Sequence, residues 1–123
     1  MDKRRSGQPP RLKVVMETEK DYEKCAVRLK ALADPDRLRI ISCLFKGPRN
    51  VSELASELGE DLVKVSHHLG VLRHASVVQT EKHGKFVVYS LDPEIAASEH
   101  WRDTKTLDLG CCRLDLPKPD DVD

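Results

Sequence analysis

Apolar side chains recur first at intervals of three and four, then at intervals of two, and this change of period organises the chain. Tyr22, Cys25, Leu29 and Leu32 stand at helical spacing and predict a first helix over about 17–33. Asp34 followed by Pro35 is a helix start signal, with a capping side chain and a residue preset for the first turn. In the second helix Leu38, Ile41 and Phe45 form an inner stripe flanked by Ile40 and Leu44, and Gly47-Pro48 stops it. Asn50 to Glu53 has the spacing of a capping box, and the short helix it opens carries Val51, Leu54, Ala55 and Leu58 before Gly59. Asp61 can cap a fourth helix, over about 61–75, in which Leu62, Val65, Leu69 and Leu72 share a face. The face opposite carries Lys64, His67, Gly70, Arg73 and His74.

From Val77 the period is two. Val78 and Thr80 alternate with Val77 and Gln79, and Phe86 and Val88 with Val87 and Tyr89. Lys82-His83-Gly84-Lys85 lies between these runs, so a β-hairpin with a basic tip is expected. Asp92-Pro93 opens a last helix over about 93–104, anchored by Ile95 and Trp101. In 106–116, Leu107 and Leu109 alternate as in a strand, as do Leu114 and Leu116. The expected organisation is a flexible basic arm (1–16), one domain (17–105), and a tail (106–123) with Cys111-Cys112 and an acidic end. The expected fold class is mainly α with a small β-hairpin, in the order α-α-α-α-β-β-α. A short helix, a tight turn, a longer amphipathic helix and a basic-tipped hairpin make up a winged helix-turn-helix.

Composition narrows the function classes. The 123 residues suffice for one domain, and no apolar run reaches the roughly 18 residues of a membrane span. Met1 to Pro10 is polar and lacks the apolar segment of a signal peptide, so a cytoplasmic location and reduced thiols are expected. The 21 basic and 21 acidic residues cancel, but they are unevenly placed. Lys3, Arg4, Arg5, Arg11 and Lys13 crowd the N-terminus against Asp2. Residues 62–90 hold Lys64, Arg73, Lys82 and Lys85 against Glu81 alone, and in 91–123 nine acidic residues outnumber four basic ones. Phosphate contact is therefore expected from the fourth helix and the wing rather than from the tail. A helix in the major groove needs one apolar face to hold it on the domain and one polar face to reach the bases, and 61–75 has both.

Ala31-Leu32-Ala33-Asp34-Pro35-Asp36-Arg37-Leu38-Arg39-Ile40-Ile41 resembles the second-helix signature of ArsR/SmtB-type metalloregulators. Val65-Ser66-His67-His68-Leu69-Gly70-Val71-Leu72-Arg73 resembles that family's recognition helix, and the hairpin its wing. The resemblance covers about 20–92. It implies a homodimeric transcriptional repressor, joined through its first and last helices, on an imperfectly palindromic operator. Lys64, Ser66 and His67 fall where family members contact DNA, Arg73 is a phosphate or ion-pair candidate, and Lys82, His83 and Lys85 form the wing tip. His68, beside the apolar stripe, is read as a packing and hydrogen-bonding residue. Leu62 and Val63 depart from the pattern, standing where polar residues are common. Ser76 stands where glycine often follows the recognition helix.

The effector chemistry rests on cysteine. The stretch Val51–Leu58 lacks the family's Cys-x-Cys thiolate box. Asp92 and His100 are too close together for its zinc-type site on the last helix, and no second histidine follows. What remains is Cys111-Cys112, an adjacent pair able to present two soft thiolates to arsenite, antimonite or a soft divalent ion. Arsenite takes three thiolates. Cys25, on a helix expected to pack against the last one, is the candidate third ligand, although it also reads as a small core residue. Cys43 is read as structural. Three outcomes stay open: release by a thiophilic metal or metalloid, thiol redox or persulfide sensing on the same scaffold, and a repressor without effector. No cofactor is required. A thiol enzyme is disfavoured by the lack of Cys-x-x-Cys and of a phosphate loop, and a winged module used only for protein contacts by the basic wing.

Overall fold

Local signals start and stop the helices. Asp34, in extended backbone, accepts from the backbone N–H groups of Asp36 and Arg37, and Pro35 begins the helix behind it. The Asn50 side chain accepts from the Glu53 N–H at 2.8 Å while Glu53 accepts from the Asn50 N–H at 2.8 Å, closing the capping box. Gly59 then ends that helix at φ 64°, a left-handed conformation open to glycine. This computed structural model describes residues 19–96 and 105–117. Its order is α1 (Glu19–Leu32), α2 (Pro35–Leu44), β1 (Arg49–Asn50), α3 (Val51–Leu58), α4 (Leu62–His74), β2 (Val78–His83), β3 (Phe86–Leu91), β4 (Thr106–Asp108) and β5 (Arg113–Asp115).

The winged helix-turn-helix is built as its periods predict. β2 and β3 pair antiparallel from Val78↔Leu91 to His83↔Phe86, leaving Gly84-Lys85 as a two-residue turn with Gly84 at φ 65°. β1 adds a third strand beside β3, in the order β1-β3-β2. Two residues are too short to register as a period in the sequence. Ile40, Ile41, Leu44, Leu54, Val65, Leu69, Leu72 and Val77 are buried at the centre. Each contributes about 1.5–3 kcal/mol by leaving water.

Several expectations need correction. Tyr22 and Leu29 are exposed, and α1 buries Cys25, Arg28, Ala31 and Leu32 instead. Leu62 is exposed at the start of α4, where Val65 is the first residue to reach the core. Asp61 precedes α4 in extended backbone, but its side chain makes no capping hydrogen bond. Ser76 does adopt the left-handed conformation, at φ 62°, as the Ser76 and Val77 N–H groups close α4 onto the carbonyls of Arg73 and Leu72. Residues 92–96 form one turn, with the Ala96 N–H donating to the Asp92 carbonyl. The remainder of the expected last helix, with His100 and Trp101, lies outside the described residues, as does the whole N-terminal arm.

Residues 106–115 form a second hairpin, Leu107↔Leu114, and it belongs to the core. Leu107, Leu109 and Leu116 are buried with Ile95. The Asp108 N–H donates to the Ile95 carbonyl at 2.9 Å. Among the described residues no helix is long and apolar enough to cross a membrane.

Candidate DNA-binding face and thiol cluster

α4 is held by its buried face and leaves Lys64, Ser66, His67, Arg73 and His74 outward. Two links fix its rotation against α2. The Arg37 guanidinium donates to Nδ1 of His68 at 3.1 Å and to the Ala31 carbonyl at 2.6 Å. Arginine has no acceptor, so Nδ1 carries the lone pair and Nε2 the proton, facing the Asp36 carboxylate at 3.8 Å. Nearly buried His68 is thus a packing and hydrogen-bonding residue. The second link is Lys64, whose Nζ lies 3.3 Å from Glu60 and 3.4 Å from Asp36. These carboxylates, Glu60 first, raise its pKa. Lys64 is thus exposed but already paired.

Oxygen and nitrogen atoms of Asp34, Asp36 and His68 also lie within 4.8 Å of one another. Their partners explain this without an ion. Asp34 caps α2, which lowers its pKa through the Arg37 N–H first, and Asp36 faces Lys64 and Arg39. In the wing, Lys82, His83 and Lys85 are all exposed, with His83 Nε2 3.6 Å from Glu81. Exposed polar and basic side chains therefore lie on α4 and at the tip of β2–β3.

Three of the four cysteines meet where α1 faces the turn between β4 and β5. Gly110, at φ 92°, lies in the turn between β4 and β5 that carries Cys111 and Cys112. Cys25 and Cys111 sulfurs are in bonding contact, with Cα atoms 6.2 Å apart across 86 residues. Cys112 Sγ stands 3.9 Å from Cys111 Sγ, and the three sulfurs lie within 4.8 Å of each other. Cys25 is buried and the other two are exposed. Arg28, one turn beyond Cys25 and 4 % exposed, secures the turn from below. It donates to the Leu109 carbonyl at 3.5 Å and to Glu94 at 2.7 Å. This guanidinium, followed by Lys24, holds Glu94 below the usual carboxylate range. Cys43 lies outside the cluster. Burial first, then Glu57, pushes its thiol up, so it is protonated and inert.

Among the described residues the donor set is all sulfur, without a histidine or carboxylate in the cluster. Such a set suits soft, thiophilic ions rather than magnesium or calcium. Three donors fall short of the four of a structural zinc site and match the pyramidal demand of a trivalent metalloid. In the oxidised state the same placement suits a Cys25–Cys111 disulfide, since 6.2 Å is within the usual Cα span of about 4.4–6.8 Å.

Residues 34–80 match the model of the bacterial regulatory protein arsR family. Over 84 residues the chain is 40% identical to the HTH-type transcriptional regulator NmtR of Mycobacterium tuberculosis, an alignment spanning 61% of this chain and 70% of NmtR. The protein belongs to the ArsR family. It is accordingly a DNA-binding transcriptional regulator and not an enzyme. Solved ArsR-type structures superpose on it. HlyU from Vibrio cholerae is 34% identical with a TM-score of 0.57, covering 70% of this chain and 88% of HlyU. A homodimeric winged helix-turn-helix DNA-binding domain from Mycobacterium bovis is 28% identical with a TM-score of 0.59, covering 71% of this chain and 75% of that one.

Within this ArsR frame, sequence reasoning passed over Arg28, Glu94, Asp36 and Glu60. Arg28 had a visible signal: it lies three residues after Cys25 and four before Leu32, on the face that α1 buries. Glu94 had none, because its partner is 66 residues away.

Proposed function

We propose that this protein is a cytoplasmic, homodimeric repressor that holds a palindromic operator with α4 and the wing. It releases the operator when Cys25, Cys111 and Cys112 bind trivalent arsenic or antimony, or a soft divalent metal. The observation that carries the effector reading is the gathering of three sulfurs within 4.8 Å from positions 86 residues apart. Lys64, Ser66, His67 and Arg73 are the groove-facing groups, and Lys82, His83 and Lys85 reach the flanking phosphates. Dimerisation is supported by the exposed Tyr22 and Leu29 on α1 and by the homodimeric M. bovis relative. A two-fold dimer reads a two-fold operator.

α1 carries Cys25 and packs on both α2 and α4, so a bound ion acts on the element that seats the recognition helix. Coupling must be reciprocal: if the ion weakens DNA binding by some factor, DNA weakens ion binding by the same factor. The test is fluorescence anisotropy on operator DNA with arsenite added to the reduced protein. Release is expected, and a Cys111→Ser/Cys112→Ser variant should bind the operator normally without responding. Release of that variant by arsenite would remove the site.

The Cys25–Cys111 contact supports a second reading, a thiol redox or persulfide sensor. Cys112→Ser separates the two. It removes a ligand from the ion site but leaves the Cys25–Cys111 pair whole. Oxidant or polysulfide in metal-free buffer would then still release DNA from Cys112→Ser, with a Cys25–Cys111 crosslink in the mass spectrum.

A further inference from the structure

We propose that the cavity between α2 and the base of the β4–β5 hairpin binds a small organic carboxylate with a short apolar body, independently of the thiol cluster. The cavity has a volume of about 500 Å³, in the size range of small-molecule sites. Its centre is Lys105. This residue is 7 % exposed and holds φ 53°, a backbone conformation uncommon outside glycine. The hairpin keeps it there: the Leu116 N–H donates to the Lys105 carbonyl at 3.1 Å. The side chain crosses to α2, where Nζ donates to Ser42 Oγ at 2.9 Å. An ammonium has three protons to place. Among the described residues no carboxylate pairs with it.

A buried cation whose partners among the described residues are one hydroxyl and no counter-charge is costly unless something else supplies the charge. The surroundings add positive charge, since Arg39 and Lys46 line the same cavity. Of the described acidic residues on the two walls, Asp36 is shared between Arg39 and Lys64, Asp108 accepts from the Gly110 N–H, and Asp115 accepts from Thr106 Oγ1. The Cys43 thiol on the wall is protonated and adds no negative charge. Leu38 and Leu116 give the remaining wall an apolar character that inorganic phosphate would leave unfilled. A carboxylate accepts from Lys105 while its hydrocarbon body covers these leucines. Because its walls come from both α2 and the hairpin, an occupant ties the two together.

The test uses the full-length, reduced protein and two probes, hexanoate and inorganic phosphate, followed by amide NMR shifts. Hexanoate should give saturating shifts at Ser42, Cys43 and Lys105 by about 10 mM, a weak-ligand range. Lys105→Met, which keeps the apolar stem, should weaken this roughly tenfold, as loss of a charge-assisted contact does. Lys46→Gln is exposed, keeps the fold, and should weaken it by about two- to threefold. If Lys105→Met does not fold, Ser42→Ala joins Lys46→Gln in its place. Shifts that fail to saturate, or that persist unchanged in these variants, overturn the site. Phosphate binding as tightly as hexanoate overturns the organic ligand. The same titration on Cys111→Ser/Cys112→Ser should be unaltered, so its outcome does not depend on the thiol reading.

Discussion

The recognition helix and the C-terminal hairpin are fastened to one core over very different spans of chain. α4 is seated by a neighbour: Arg37 meets His68 across 31 residues, and each cap that frames the helix-turn-helix closes within three. The hairpin is fastened by Cys25 to Cys111 across 86 residues, Arg28 to Leu109 across 81, and Lys105 to Ser42 across 63. Long closures carry more chain entropy than short ones, though only logarithmically more. The larger difference is in redundancy. α4 is buried along a continuous apolar face, whereas the hairpin adds to its few core leucines only single long-range side-chain contacts with α1 and α2. The DNA-facing half should therefore tolerate damage that detaches the half bearing the thiols.

The largest break expected in this comparison is Leu107→Ala. Leu107 is fully buried, so truncation should cost about 2–5 kcal/mol in denaturant unfolding. The hairpin should loosen first, seen as fast amide exchange at Leu114 and as loss of the arsenite response, while operator binding at low temperature persists. Equal loss of protection in α4 would show that the two regions are one cooperative unit. The converse break is Lys64→Ala with His67→Ala. Two lost contacts of about 1–3 kcal/mol each should weaken operator binding by roughly 100-fold in anisotropy, with the melting point and dimer little changed.

What the sequence made legible follows the same division. The caps at Asp34 and Asn50, the turn at Gly84 and the stripe through Val65, Leu69 and Leu72 are short-range signals, and the winged helix emerges from them almost entire. β1 was missed because two residues have no period. Tyr22, Leu29 and Leu62 fit a helical stripe yet are exposed, since period shows a face but not whether a partner within the subunit covers it. For the thiol cluster, residue chemistry nominated Cys25 beside Cys111 and Cys112. Their meeting through Arg28, and Lys105 reaching Ser42, are long-range outcomes that no local pattern encodes.

A smaller effect is expected at Arg28. Arg28→Ala leaves the Leu109 carbonyl without its side-chain donor and Glu94 with Lys24 alone, for a loss of about 2 kcal/mol, the scale of a charged hydrogen bond. It should also move the Glu94 carboxyl back toward its ordinary titration, with Lys24 still lowering it, readable by carboxyl NMR. The sign of the pH effect follows. Glu94 has a lower pKa folded than unfolded, so the Arg28 contact contributes fully above the unfolded value of about 4.3. That contribution is lost as pH falls through the lowered folded value. Acid should therefore weaken wild-type hairpin docking more than that of Arg28→Ala. An equal acid response in both would place the sensitivity elsewhere.

The smallest expected effect sharpens the comparison from the DNA side. Among the described residues, Lys64 is the groove-facing candidate on α4 whose charge is shared with two carboxylates, and Glu60 is the closer at 3.3 Å. That contact is exposed, so it is weak and screened by salt. Breaking it is part of what DNA binding must accomplish, and the same carboxylate repels the approaching phosphates. Glu60→Gln removes both oppositions and leaves Asp36 to orient the lysine. Operator affinity should rise about two- to fivefold, with the gain shrinking as salt screens the charges. Stability should change by less than about 0.5 kcal/mol, as at other exposed sites. An affinity that falls instead would mean that the Glu60 contact positions Lys64 for DNA rather than competing for it. Arsenite should displace wild type and Glu60→Gln by the same factor, because Glu60 lies on the short-range side of the molecule and the thiols on the other.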